Sequence, residues 1–345
     1  MNYTSPEEKQ QEQLEEDSSQ ARCEWDFSIS AAVPQNPTTN ASDVLGAVEV
    51  DPSGRLLATG GLARKIRIYT LDPLRYEFYI CTPAKLSSLR WRPNAPGCHV
   101  ASGDYDGVVT EYDVERRTPV SERDEHGGRR VWSVDYSAAG LGASGSDDGT
   151  AQMWDPRCVP VLSAVRVGAS VCCVEFDKTD GPYIALGCAD RRAYVYDVRN
   201  MSSGPVSVFA GHEKTVTYVR FDGRGRLVTS GTDGRHRLWE LASGKEVRAY
   251  RGHANARSFV GMSVWRSGGL IGCGSESNEV FVYDLRWGEP IWVQSFAGRT
   301  EEEEEEEAKA FVSAVCWREV SEDECALLAG GSDGMVQVYA GRRKV

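Results

Sequence analysis

The chain has 345 residues, 41% hydrophobic and 26% charged, with a formal net charge of −12. No apolar run reaches the ~18 residues of a transmembrane helix, and the acidic balance argues against general affinity for nucleic acid. Ten cysteines lie scattered without a CxxC pair, which gives no sign of a zinc site and reads as buried thiols in a reducing compartment, nucleus and cytosol.

Residues 1–22 are rich in Gln and Glu and lack the apolar core and cleavage site of a secretory leader, so a disordered tail is expected. Trp25-Asp26-Phe27-Ser28-Ile29 then alternates like a strand, with nothing nearby to pair with. From there one phrase recurs: small residues, an Asp-Gly-like turn, an alternating apolar run and a terminal aromatic. The aromatics are Tyr69, Tyr112, Trp154, Tyr196, Trp239, Tyr283 and Tyr339, at spacings of 43, 42, 42, 43, 44 and 56 residues. Five of the six fall in the ~40–45 window of a WD-repeat blade. Within the fifth unit, Val216 to Phe221, Leu227 to Ser230, Arg237 to Trp239 and Glu246 to Tyr250 read as four strands, with Gly231-Thr232-Asp233-Gly234 as a turn. The expected fold is all-β, a seven-bladed WD-repeat β-propeller spanning 23–341, with a short tail at 342–345. Only six residues follow Tyr339, too few for another strand, so the N-terminal strand is expected to close the last blade and cover its edge. The long sixth spacing contains Glu301 to Glu307, more than half of the net charge, in an insertion at 299–309. Seven adjacent like charges should leave it disordered.

An Asp stands six positions before the terminal aromatic in five units: Asp106, Asp148, Asp190, Asp233 and Asp333. His212, Thr229, Asp233 and Trp239 are placed to form a chain of buried hydrogen bonds, and so are His126, Ser144, Asp148 and Trp154. This structural use accounts for the Asp/His pairs better than catalysis does. His253 occupies a similar position before a first strand. His99 and His236 are left over, too few and too distant for a metal cluster, and no phosphate-binding Gly loop or nucleophile elbow appears. The sequence thus points to a binding protein, with neither enzyme activity nor a cofactor.

Loops entering the first strands and loops joining second to third strands share one face of a propeller. Here they gather Arg64, Lys65, Lys85, Arg129, Arg130, Arg191, Arg192, Lys214, Arg235 and Arg257, interleaved with Tyr105, Trp132 and Phe259. A basic mouth lined by aromatics suits an acidic peptide with an apolar anchor. On the opposite face, Trp154-Asp155-Pro156-Arg157, Tyr196-Asp197-Val198-Arg199 and Tyr283-Asp284-Leu285-Arg286 repeat one pattern. There the Asp is expected to brace the turn while Arg157, Arg199 and Arg286 project outward.

Three stretches, 81–91, 103–109 and 124–136, carry a family resemblance that covers 23–341: CTPAKLSSLRW, GDYDGVV and DEHGGRRVWSVDY. They resemble the plant repressors of UV-B photomorphogenesis and, next, the propeller of the constitutively photomorphogenic E3 ubiquitin ligase, whose RING and coiled-coil segments have no counterpart in these 345 residues. That ligase propeller reads Val-Pro peptides flanked by acidic residues. The resemblance places its pocket at Lys85, Tyr105, Trp132, Arg191 and Phe259, with Arg191 where the ligase has His, and Arg129, Arg130, Lys214 and Arg235 in support. It implies the UV-B photoreceptor as partner, with return of that receptor to its inactive dimer as the outcome, and the E3 ligase as a further partner. Trp154-Asp155-Pro156-Arg157 also resembles the signature by which substrate receptors dock on damaged-DNA-binding protein 1 in cullin-4 ligases. That leaves a ligase substrate receptor and a general scaffold as alternative readings.

Overall fold

A computed structural model describes residues 24–33, 43–158, 161–179, 181–296 and 310–344. The expectations for 1–22 and for the glutamate run lie outside the described residues. Seven antiparallel sheets of four strands each account for nearly all regular structure among them. We number them blade 1 (45–81), blade 2 (86–123), blade 3 (131–166), blade 4 (171–210), blade 5 (216–250), blade 6 (262–295) and blade 7 (312–343 with 25–33). The first strands, from Leu45–Val50 round to Val312–Glu319, pack each against the next and the last against the first, so the ring closes around a central channel. Period-2 alternation decides which residues fill the layers between blades. Leu57, Ile66, Val100, Leu186, Val228 and Leu327 are fully buried, each worth ~1.5–3 kcal/mol relative to exposure.

The closing strand is present. Trp25–Val33 pairs with Val336–Arg343, from Trp25 opposite Arg343 to Val33 opposite Val336. The last blade therefore runs two residues beyond the expected end at 341, because Arg342 and Arg343 are held in the ladder by Asp26 and Trp25. Trp25 meets Trp265 edge-on at 5.1 Å, and Phe27 lies 5.3 Å from Trp292 and 6.2 Å from Trp317. An aromatic cluster thus joins chain start, blade 6 and blade 7. Gly341 is required there, since a Cβ would stand 2.4 Å from the Phe27 ring and 2.6 Å from Cys325 Sγ. The alternation fails at Ile29, which is 48% exposed, because the ladder slips by one residue between Ile29 and Ala31.

Candidate binding face

The hydrogen-bond chain of blade 5 is complete. Trp239 Nε1 donates to Thr229 Oγ1 at 2.9 Å, Thr229 Oγ1 lies 2.7 Å from His212 Nε2, and His212 Nδ1 lies 3.0 Å from Asp233. The Asp233 carboxylate accepts only, so His212 Nδ1–H is the donor of that bond. Burial alone would raise the Asp233 pKa, but the His212 bond reverses this and holds it low. In blade 3, His126 reaches Asp148 at 2.9 Å and Ser144 at 2.7 Å. The fourth member departs from expectation: among the described residues no hydrogen bond joins Trp154 to Ser144. The Trp154 ring instead packs edge-on against Tyr136 at 6.5 Å, with the Arg123 guanidinium over it at 5.6 Å.

Blade 6 varies this chain, with Cys273 in the Thr position and Tyr283 in the Trp position. His253 Nδ1 lies 3.1 Å from the Tyr283 hydroxyl, and His236 from blade 5 stacks on the His253 ring at 4.0 Å and 9°. The spacing argument placed His236 too far from other ligands; the fold brings His236, His253 and Cys273 within 4.8 Å. The two rings are parallel, however, so their in-plane lone pairs run side by side rather than converging on one ion. This is a stacked buried pair. Burial pushes the His253 pKa down to about 4 and, with His253 beside it, drives that of His236 well below its ordinary value.

At the basic mouth, the structure brings Tyr105, Trp132 and Phe259 together. At or just before their first strands, six blades present a residue to the channel rim: Gly46, Ser87, Cys172, Gly261 and Ser313 in five of them, but Trp132 in blade 3. Trp132 crosses the opening and stacks on Phe259 from the far side of the ring at 4.5 Å and 8°. Its indole N–H donates to Asp147 Oδ1 at 2.6 Å. The Arg130 guanidinium lies between two rings, 4.0 Å from Tyr105 and 4.5 Å from Trp132. Cation–π contacts of this kind contribute ~0.5–2 kcal/mol, so Arg130 belongs to the centre of the mouth rather than to its support. Beneath lies a cavity of about 290 Å³ lined also by Tyr218, Cys172, Glu49, Arg90 and Arg220.

Lys85 and Arg191 do not line this cavity; both are exposed on rim loops. The Lys85 carbonyl accepts the Tyr105 backbone N–H at 3.0 Å. Arg191 follows the turn Asp in the place held by Gly107, Gly149, Gly234 and Gly334 elsewhere, and keeps the left-handed conformation at φ 73°. A side chain in that conformation costs roughly 1 kcal/mol. Arg129, Lys214 and Arg257 are exposed around the mouth, and Arg235 is half-buried. Glu276 escaped sequence reading altogether. It accepts the backbone N–H groups of Ala256, Arg257 and Ser258 at 3.1, 2.8 and 2.6 Å and so shapes the loop that delivers Phe259. Burial would raise its pKa, and these three donors more than reverse the effect.

On the opposite face, the three arginines behave unequally. Arg157 and Arg199 fold back onto Asp155 and Asp197 at 2.6 and 2.5 Å, with side chains 79% and 72% exposed. Hydrogen bonds from those guanidinium groups hold both carboxyls at about 2. Arg286 does not project outward as expected: it bridges Asp284 at 2.7 Å and Glu24 at 2.6 Å, because closure of the ring brings Glu24 to blade 6.

Comparison with known proteins agrees with this architecture. The chain is 55% identical to WD repeat-containing protein RUP2 of Arabidopsis thaliana, over 88% of this chain and 89% of that one. Identity to WD repeat-containing protein RUP1 of the same plant is also 55%, over 93% and 86%. The chain belongs to the RUP family of WD-repeat proteins. This RUP-family protein is also 34% identical to the Arabidopsis E3 ubiquitin-protein ligase COP1, over 90% of its own length but 46% of the ligase's. A family model described as Nucleolar protein 10-like, N-terminal domain, matches residues 132–283.

Proposed function

We propose that this RUP-family protein is a non-catalytic negative regulator of UV-B signalling that binds the UV-B photoreceptor at its basic mouth and promotes return of the receptor to the inactive dimer. The observation that carries this reading is the Trp132–Phe259 stack flanked by Arg130. It offers a wide aromatic surface for an apolar anchor and cations for its acidic flanks. The left-handed Arg191, where a glycine would be easier, supports a role for its charge at the same rim. Likeness to COP1 supports an acidic peptide as the ligand class and the E3 ligase itself as a second partner. Acceleration of dimerisation needs only tighter binding of the associating transition state than of separated monomers. The nine described cysteines are free thiols, which supports the nucleus and cytosol as its location. The test is the rate of photoreceptor re-dimerisation in the dark with and without excess protein; an unchanged rate removes the mechanism.

A second reading, docking on damaged-DNA-binding protein 1 in a cullin-4 ligase, is favoured by the exposed Arg157–Asp155 and Arg199–Asp197 pairs on the opposite face.

A further inference from the structure

One register position of the first strands carries charged side chains around the inner ring, and those of blades 1, 2 and 5 line the cavity. In blades 1 to 5 it holds Glu49, Arg90, Asp135, Glu175 and Arg220. The three carboxylates are all engaged. Glu49 pairs with Arg90. Asp135 takes Arg90 Nε at 3.0 Å and Lys178 Nζ at 2.7 Å, and Glu175 takes Arg266 at 2.7 Å. Arg220 is left over. Among the described residues no carboxylate lies within ion-pair distance of it, and its guanidinium donates to the Val219 carbonyl at 2.8 Å and to Cys173 Sγ at 3.2 Å. Neither acceptor is a carboxylate, and a guanidinium has five N–H donors and keeps its charge.

This cation faces the 290 Å³ cavity under the Trp132–Phe259 stack. Glu175 and Glu49 act on the half-buried Arg220 only through space, beyond ion-pair distance, so an anion entering the recess gains a guanidinium that no carboxylate already holds directly. The walls select among anions. Tyr218, Met262 and Ala314 line the recess and suit an apolar stem, while Glu49 in the same lining is taken up by Arg90, which leaves Arg220 to match a single negative charge. The space is many times what one water needs, so a carboxylate on a short stem fits.

We propose that the channel beneath the aromatic stack is a binding subsite for a single carboxylate on a short apolar stem, with Arg220 as its counter-ion. The group can come from a free carboxylic acid or from an acidic side chain beside the anchor of a docked segment; the subsite does not depend on which partner docks.

Titration calorimetry of the full chain distinguishes the two sources. One arm compares 3-phenylpropionate with 3-phenylpropionamide, and the other compares capped Leu-Glu with capped Leu-Gln. The acid should bind at least about tenfold more tightly than its amide in one arm or both, and the arm that shows it identifies the source. Arg220→Gln should reduce that preference below twofold. Equal binding of acid and amide in both arms overturns the proposal. So does a preference that survives Arg220→Gln, because rim cations would then be its cause. Should Arg220→Gln melt below the assay temperature, Arg220→Lys decides: the acid's affinity should change several-fold while the amide's stays constant, and no change refutes the assignment.

Discussion

The His236–His253 stack makes stability depend on pH in a calculable direction. His236 is fully buried and His253 nearly so. Among the described residues both ring nitrogens of His236 and Nε2 of His253 lack hydrogen-bond partners. The folded protein therefore keeps both rings neutral, His253 down to about pH 4 and His236 to well below its ordinary range, whereas the unfolded chain protonates each near 6.5. The stability due to the neutral pair is complete above pH 6.5 and is lost as pH falls from there toward 4. Linkage gives a loss of about 2 kcal/mol per histidine between pH 7 and pH 5, so ~2–4 kcal/mol for the pair. With an unfolding entropy of roughly 0.6–0.7 kcal/mol/K for a chain of this size, the melting temperature should drop by about 3–6 °C. Other groups titrate in this range, so the informative quantity is the difference between the wild type and His236→Leu. That substitution removes two unpartnered buried nitrogens, should leave stability at pH 7 equal or higher, and should roughly halve the pH dependence. Melting curves at pH 7, 6 and 5 at constant ionic strength decide it. Parallel pH profiles for the two proteins would refute the burial argument.

Four further outcomes follow from the geometry. Phe27→Ala should cost ~3–5 kcal/mol, as large-to-small changes in cores do, while Ile29→Ala at the exposed slip should cost under ~0.5 kcal/mol; thermal melts that rank them otherwise contradict the closing-strand assignment. Trp132→Ala should weaken photoreceptor binding by about 2 kcal/mol, roughly thirtyfold; calorimetry showing wild-type affinity in a folded variant removes the mouth from the interface. Arg191→Gly should raise stability by up to about 1 kcal/mol by relieving the left-handed backbone and weaken the same binding, and chemical denaturation beside the binding assay reads both. Arg157→Ala should abolish adaptor docking without changing the melting temperature, whereas Arg286→Ala should loosen the Glu24 contact and lower stability by up to ~1 kcal/mol; pull-down and melting together test this contrast.

What the sequence reveals is whatever repeats along it. The aromatic spacing carries the seven blades, and the alternation of Trp25 and Phe27 carries the closure, because each depends on neighbours a few residues away. The chain from His212 to Trp239 was legible for the same reason, since one blade supplies all of it. Contacts between blades were not. His236 meets His253 across a blade boundary, and Arg286 meets Glu24 only after the ring has closed. Trp132 and Phe259 were both named for the mouth, yet nothing in their spacing says that they touch. Aligning the seven first strands position by position would have exposed the one signal available: a Trp at a rim position that most other blades fill with small residues.

The mouth is therefore a property of the closed ring and not of any single blade. Trp132 belongs to blade 3, Phe259 to the loop entering blade 6, and their stack spans the channel. The position of Phe259 depends in turn on Glu276 within blade 6, and blade 6 is anchored to the chain start through Arg286–Glu24 and Trp265–Trp25. The seam and the mouth thus share blade 6. A ligand that parts Trp132 from Phe259 gives up one aromatic stack, ~0.5–1.5 kcal/mol, and enters the cavity that Arg220 lines. That exchange favours a ligand able to replace both contacts, a flat apolar group against the rings and a negative charge below them, over one that offers either alone.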